Sequence, residues 1–176
     1  ITQSDKNILY EIDGKNAMEL YKEYLGPYSE ELPGSAMLFP LSIKEPGCDK
    51  ALVRTILSIN EQDRCMVFAG NMPVGSQVRL MKANFNKLID GSTTAARDTI
   101  DPLHTKPELA ILISCIGRKL IMRERTEEEV HAVNEIFGAA TCTTGFYSYG
   151  EISPFSASNQ CQLHNQTMTI TTFTEL

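Results

Sequence analysis

Polar residue types concentrate in three late segments of the chain whose neighbours are apolar and strand-like. The segments read SCIGR at 114–118, GFYSYGE at 145–151 and LHNQT at 163–167. Together they offer a thiol, a guanidinium, two phenols, a carboxylate, an imidazole and a carboxamide. Polar groups are costly to bury unless they are paired, so they tend to converge on each other or on a ligand. The sequence therefore predicts a pocket built from these segments.

Arg118 is the residue best suited to hold a charged ligand, because it follows a predicted strand end, where open sheets collect ligand groups. Its guanidinium can bind a carboxylate or phosphate, whereas Glu151 can bind a ligand amine. An ion pair between Arg118 and Glu151 is the structural alternative. We therefore predict a ligand site without catalysis. Its candidate residues are Cys115, Arg118, Tyr147, Tyr149, Glu151, His164 and Asn165.

The two phenols of GFYSYGE have the spacing of pocket-floor residues. In a strand, Tyr147 and Tyr149 share one face, and tyrosines combine an apolar ring with a hydrogen-bonding tip. Gly150 allows close backbone approach, and packing explains the carboxylate of Glu151 poorly. Tyrosines are also common as plain core or sheet-surface residues.

Two reactive residue types keep further interpretations open. Cys115 is either a nucleophile activated by Arg118 or His164, as in a cysteine-dependent hydrolase, or a small buried hydrophobe. No nucleophile motif surrounds it, which favours the second interpretation. His164 could be an axial haem ligand, but His104 and His131 complete no metal triad. We therefore expect no enzyme activity and no cofactor, with haem as the alternative.

Composition excludes several classes of function. The chain has 176 residues and a formal net charge of -6, and it shows no basic face of the kind that binds nucleic acid. Its longest apolar run, Leu109–Ile116, is too short to cross a membrane. Five cysteines without metal spacing indicate reduced thiols and a cytoplasmic location. The chain begins with Ile, so we expect a piece of a longer protein.

Hydrophobic periodicity predicts the elements that position the three segments. Three helices are expected, at Lys15–Leu25, at Phe85–Ile100 with Asn84 as cap, and from a Thr126–Glu129 capping box to Gly138. Glu127, Glu128 and Glu129 are interpreted as helix-start charges. The expected strands are Ile8–Ile12, Ala51–Ile59, Cys65–Ala69, Gln77–Lys82, Leu109–Ile116, Thr143–Tyr149 and Leu163–Phe173.

This order predicts an α+β fold of one domain over 1–176. Its mixed, largely antiparallel sheet has about six or seven strands, with about three packed helices. The strands Ala51–Ile59, Cys65–Ala69 and Gln77–Lys82 are expected to form an antiparallel meander. Residues 28–48 are interpreted as mainly irregular, with Ser35–Phe39 as a possible short strand.

The motifs resemble the C-terminal domain of the FIST family of intracellular sensory proteins. The likeness runs from about Asn7 to Thr174, and the combination of GFYSYGE with LHNQT carries it. It implies a signal-input domain that binds a small ligand such as an amino acid, with an N-terminal FIST half and a signalling output domain as partners. Some members resemble haem-based nitric-oxide sensors. A scaffold without ligand remains an alternative.

Overall fold

The computed structural model describes residues 1–100, 106–154 and 161–175. The chain divides into two compact units, Ile1–Lys82 and Ala83–Leu176, and each contains its own hydrophobic core. The described residues form four α-helices and thirteen strands, so the predicted α+β class is confirmed. The expectation of one domain over 1–176 stays a prediction.

The first unit is built from short antiparallel strands and one α-helix. The five-stranded sheet has the order β1-β2-β7-β6 with β3 on β2, and the three-stranded sheet has the order β5-β4-β8. Two 3-10 helices, Gly26–Glu31 and Gly34–Leu38, precede the fourth strand. The elements are β1 (Gln3–Asp5), β2 (Ile8–Ile12), β3 (Lys15–Asn16), α1 (Ala17–Leu25), β4 (Leu41–Lys44), β5 (Leu52–Arg54), β6 (Ile56–Asn60), β7 (Cys65–Phe68) and β8 (Gln77–Leu80).

Helix α1 begins later than its hydrophobic spacing predicts, because Asn16 caps it. The Glu19 amide donates to the Asn16 side chain at 3.1 Å, so Asn16 satisfies a helix-start amide that would otherwise lack a partner. Gly26, with φ of 56°, ends the helix as expected. Tyr21 and Leu25 are buried on its inner face, which anchors α1 to the core.

The predicted strand Ala51–Ile59 is two strands, because the chain changes sheet at Thr55. The expected meander is therefore wrong beyond the β6–β7 hairpin, since β8 pairs with β4 instead. The span 28–48, expected to be mainly irregular, contains β4, and the possible strand Ser35–Phe39 overlaps a 3-10 helix.

The second unit packs helices on a small mixed sheet. Strand β9 is central in the order β10-β9-β13, with β10 parallel and β13 antiparallel to it, while β11 pairs only with β12. A 3-10 turn, Arg123–Arg125, separates α3 from α4. The elements are α2 (Phe85–Ile100), β9 (Leu109–Cys115), α3 (Ile116–Met122), α4 (Glu127–Phe137), β10 (Cys142–Ser148), β11 (Glu151–Pro154), β12 (Cys161–His164) and β13 (Met168–Phe173).

Periodicity predicted this unit's core well. Helix α2 has the predicted bounds, with the Lys87 amide donating to Asn84 at 3.1 Å as the expected cap. Leu112 of β9 packs with Val133 and Phe137 of α4 in one buried cluster. The inner face of the sheet is therefore covered by helix.

Three details of this unit correct the sequence interpretation. The expected strand Leu163–Phe173 breaks at Asn165–Thr167, so the strands here and elsewhere form four small sheets among the described residues rather than one. Arg118 lies in α3, which starts directly after β9. The Thr126 hydroxyl donates to the Arg123 carbonyl, so the predicted capping box with Glu129 is wrong.

Candidate functional site

A buried ion pair between Arg118 and Glu129 lies at the centre of the second unit. Arg118 Nε is 2.8 Å and Nη2 is 2.7 Å from Glu129 Oε2. The two side chains are 3% and 0% exposed. Because removing two charges from water is costly, such a pair persists only when its other polar atoms are also satisfied.

The two terminal guanidinium nitrogens also bind polar groups from other elements. Arg118 Nη2 donates to the Leu88 carbonyl at 2.7 Å and to Ser92 Oγ at 2.6 Å, both on α2. Arg118 Nη1 is 3.4 Å from the Gln166 carbonyl, in the turn before β13. One side chain of α3 thus joins α2, α4 and this turn.

The second carboxylate oxygen of Glu129 accepts two hydroxyl protons from the sheet. Ser114 Oγ donates to Oε1 at 3.1 Å, and the Tyr147 hydroxyl donates to it at 2.8 Å. Ser114 and Tyr147 are register partners on the parallel strands β9 and β10. Burial, and then the hydrogen bond to Glu129, raises the pKa of the Tyr147 phenol. We call this set the Glu129 network: Ser92, Ser114, Arg118, Glu129 and Tyr147.

A second buried carboxylate, Glu151, has different partners from those predicted. Ser148 Oγ donates to Oε1 at 2.6 Å and Thr167 Oγ1 donates to Oε2 at 2.7 Å. The structural alternative, an ion pair of Glu151 with Arg118, is therefore wrong, because Arg118 pairs with Glu129. Both side chains nevertheless contact the 165–167 turn, one through the Gln166 carbonyl and the other through the Thr167 hydroxyl. The three motif segments do converge, but by separate contacts.

His164 and Asn165 are buried next to Glu151. His164 is the register partner of Glu151 on the β11–β12 pair, and its Nε2 lies 3.0 Å from the Ser153 carbonyl. Asn165 Nδ2 donates to the His164 carbonyl at 3.0 Å. Ligation of haem through Nε2 would require this nitrogen to leave its backbone partner, and the haem alternative stays a prediction.

The other candidates differ in exposure. Tyr149 is 90% exposed, so it does not share the buried environment of Tyr147. Cys115 is buried, and burial raises the pKa of its thiol, which disfavours a thiolate at neutral pH. Its amide donates to the Thr167 carbonyl at 2.9 Å. Cys115 therefore has the environment of a structural cysteine.

A groove of about 300 Å³ lies beside the Glu129 network. Two of the network's hydroxyl residues, Ser114 and Tyr147, form part of its wall. The floor requires Gly145, since a Cβ there would lie 2.0 Å from the Leu112 carbonyl oxygen. We call this the hydroxyl groove, and its lining residues are Leu112, Ser114, Val130, Thr143, Thr144, Gly145, Phe146, Tyr147 and Met168.

A second groove, of about 390 Å³, lies in the first unit and is mainly apolar. The hydroxyl of Tyr21 in its wall donates to the Phe39 carbonyl at 2.9 Å. No buried charge pair is attached to its wall among the described residues, which separates it from the hydroxyl groove. Its lining residues are Ile12, Asp13, Ala17, Leu20, Tyr21, Tyr24, Leu41, Met66, Val78, Arg79 and Leu80.

Glu129 lies in the first turn of α4, as a helix-start charge should, but its side chain is fully buried and paired with Arg118, which the sequence interpretation did not include. The sequence contains a signal that identifies it. Glu129 precedes Val133 by four residues and Phe137 by eight, so it continues the apolar stripe of α4. A carboxylate on such a stripe requires a buried partner, and Arg118 is that partner.

Within residues 1–100, 106–154 and 161–175, no group of three metal-ligating side chains occurs. The same residues contain no helix long and apolar enough to cross a membrane.

One family model matches most of both units. A family model described as FIST C domain matches residues 17–154. No curated protein and no solved structure matches the chain. The resemblance inferred from the motifs is thereby confirmed. The chain belongs to the FIST C domain family, whose members are sensory domains of signal-transduction proteins.

Proposed function

We propose that this sensory domain binds a small molecule in the hydroxyl groove and signals through the Glu129 network. The observation that carries the proposal is that Ser114 and Tyr147 line the groove and also donate to the buried Glu129 carboxylate. A ligand that changes the position of either hydroxyl acts directly on a buried ion pair.

The size and lining of the groove support a small ligand. Its volume is about 300 Å³, at the lower end of the range of roughly 300–1,000 Å³ for small-molecule sites. Leu112 and Met168 supply apolar surface, while the hydroxyls supply a few convergent polar groups. This combination is typical of ligand pockets in proteins.

The contacts of the network support a route for the signal. Arg118 connects Glu129 on α4 to Ser92 on α2 and to the turn at Gln166. A ligand shifts an equilibrium only by its differential affinity for two states. Rearrangement of the Tyr147–Glu129 hydrogen bond would supply such a difference, because it changes how the helices are held.

The hydroxyl groove replaces the site first expected for an amino-acid ligand. That ligand would have placed its carboxylate on Arg118 and its amine on Glu151, but both groups are buried and engaged with protein partners. An amino acid remains a candidate ligand, with its apolar side chain or its ammonium group in the groove.

The proposal places the domain in the cytoplasm, beside an N-terminal FIST half and a signalling output domain. The free state of all five cysteines supports a reducing compartment. Membership of the FIST C domain family supports these two partners.

Amide NMR of the 176-residue chain tests the proposal against amino acids and other small metabolites. A true ligand should shift the amides of Thr144 to Tyr147 and raise the melting temperature. Tyr147→Phe should weaken its binding by about fivefold, the effect of one hydrogen bond, while Tyr149→Phe should not. If every compound that binds leaves the groove amides unshifted, the proposal fails.

A further inference from the structure

We infer that the hydroxyl groove selects a ligand that donates hydrogen bonds, either a neutral amide or an ammonium, and rejects carboxylates and phosphates. The inference rests on the proposed function, because it names the chemistry of the ligand for that same groove. It follows from the acceptors to which the hydroxyl groups of the groove already donate.

Glu129 fixes the direction of two hydroxyls. A carboxylate that faces a guanidinium can only accept hydrogen bonds, and its Oε2 is engaged by Arg118. Ser114 and Tyr147 must therefore both donate to Oε1. A phenol with an ordinary pKa of about 10 is already protonated at neutral pH, and burial raises the pKa of Tyr147 further, so this direction persists.

A third hydroxyl of the groove is committed in the same way. Thr143 Oγ1 donates to Asn134 Oδ1 at 2.6 Å. Thr144 is the fourth hydroxyl in the lining, and its side chain is exposed. Three of the four hydroxyls thus present only oxygen lone pairs to an incoming molecule, because each has a single proton.

The charges around the groove agree with this polarity. Its lining contains no lysine or arginine among the described residues. Two cations lie near the groove but outside its lining: Arg118, which is paired with Glu129, and Lys119, whose ammonium is 5.2 Å from the centre of the Tyr147 ring. An anion entering the groove would lose hydration and meet three hydroxyls that offer only lone pairs, with Thr144 as the one lining hydroxyl, among the described residues, whose proton is not committed, which is unfavourable.

The apolar part of the lining defines the body of the ligand. Leu112, Val130, Phe146 and Met168 are the large apolar residues of the lining. An aromatic ring or branched alkyl group fits these side chains, with its N–H group directed at Ser114 and Tyr147. The chemical class is therefore a small apolar amide or amine.

Four ring compounds of similar size separate the possibilities: benzylamine, benzamide, methyl benzoate and benzoate. Each is titrated into the full chain, and binding is measured from the amide shifts of Thr144 to Tyr147. The first two donate hydrogen bonds, whereas the last two only accept them. We expect benzylamine and benzamide to bind at least about tenfold more tightly than methyl benzoate and benzoate.

Variants locate the selection within the groove. Ser114→Ala and Tyr147→Phe each remove one acceptor, so each should reduce the preference for benzamide over methyl benzoate by several-fold. Thr171→Ala, an exposed hydroxyl on the neighbouring strand β13, is the matched control and should leave the preference unchanged. Circular dichroism shows whether each variant is folded.

The outcomes distinguish this inference from the function on which it rests. Equal or tighter binding of methyl benzoate or benzoate in the groove overturns the ligand class but leaves a ligand-binding groove. Absence of groove shifts with all four compounds overturns the ligand class, and absence of shifts with the amino acids and metabolites as well overturns the function. An unchanged preference in the folded Ser114→Ala and Tyr147→Phe proteins also rejects the assignment of selectivity to these hydroxyls.

Discussion

Arg118 of α3 and Glu129 of α4, which are 11 residues apart in sequence, form an ion pair. Arg118 Nη2 lies 2.7 Å from Glu129 Oε2. Neither side chain has appreciable contact with solvent. The pair holds one end of the groove wall through Tyr147. Its integrity therefore affects both the stability of the second unit and the shape of the proposed site.

Removing one partner of this pair should be strongly destabilising. Glu129→Leu leaves the Arg118 guanidinium buried without its carboxylate, and we expect a loss of about 3–5 kcal/mol in the free energy of unfolding. The double variant Arg118→Met with Glu129→Leu should recover much of this loss, since an apolar pair can replace a buried ion pair. Urea unfolding measures both.

Glu128→Gln is the matched control for that experiment. Glu128 pairs with Arg125 on the surface, at 2.7 Å, and exposed pairs contribute little. Its urea midpoint should match that of the unmodified chain. A Glu129→Leu midpoint indistinguishable from this control would contradict a stabilising role for the buried pair.

Alkaline pH should destabilise the protein in part through Tyr147. Burial and the bond to Glu129 raise its pKa in the folded state above the ordinary value of about 10. Above about pH 10 the unfolded chain therefore binds fewer protons than the folded chain, so the free energy of unfolding falls as pH rises. Below this range the contribution of Tyr147 is fully present.

Urea midpoints at about pH 8 and about pH 11 test this effect. Tyr147→Phe should show a smaller decrease between the two values, whereas Tyr149→Phe should behave like the unmodified chain. Part of the decrease should remain in the Tyr147→Phe protein, because burial also raises the pKa of Tyr21. Equal decreases in the Tyr147→Phe protein and the unmodified chain would show that the phenol is not protected in the folded state.

Gly145 should tolerate no side chain. An added Cβ would meet the Leu112 carbonyl oxygen at 2.0 Å, so Gly145→Ala must push β10 away from β9. We expect a loss of about 1–3 kcal/mol, as for overpacked sites, and broadened amide signals around the groove. Gly34→Ala is the control, because an added Cβ there meets nothing within 4 Å. Equal stability of the two variants would contradict the close approach of β10 and β9.

Cys115 should be the slow thiol in alkylation experiments. It is buried and its pKa is raised by burial, whereas Cys142 and Cys161 are exposed. Brief treatment of the folded protein with iodoacetamide should modify Cys142 and Cys161 first, as located by peptide mass spectrometry. Rapid modification of Cys115 in the folded chain would instead support the nucleophile interpretation.

The parts of the fold that the sequence predicted best have long, regular periodicity. Helix α2 has its predicted bounds, and β9 differs by one residue, because sixteen residues of helix and a seven-residue apolar strand outweigh local exceptions. The strands of two to five residues in the first unit contain too few alternations to fix their pairing. Strand β8 pairs with β4 instead of the expected β7. This pairing is non-local, and the local hydrophobic pattern does not encode it.

The candidate site shows the same division. The convergence of the three motif segments was predicted from the cost of burying polar groups, and the contacts at Gln166 and Thr167 bring them together. The partner of Arg118 was missed because Glu129 stands beside two exposed glutamates and resembles them in sequence. Only its position on the stripe with Val133 and Phe137 distinguishes it.

The 165–167 turn has a consequence for protein engineering. Its Gln166 carbonyl accepts from Arg118, and its Thr167 hydroxyl donates to Glu151. Two regions that are distant in sequence therefore depend on the same short turn. Chimaeras with homologous domains should therefore fold only when the crossover points keep Ser114–Glu129, Tyr147–Glu151 and His164–Thr167 from one parent. Recombination within these three segments would leave a buried charge without its partner.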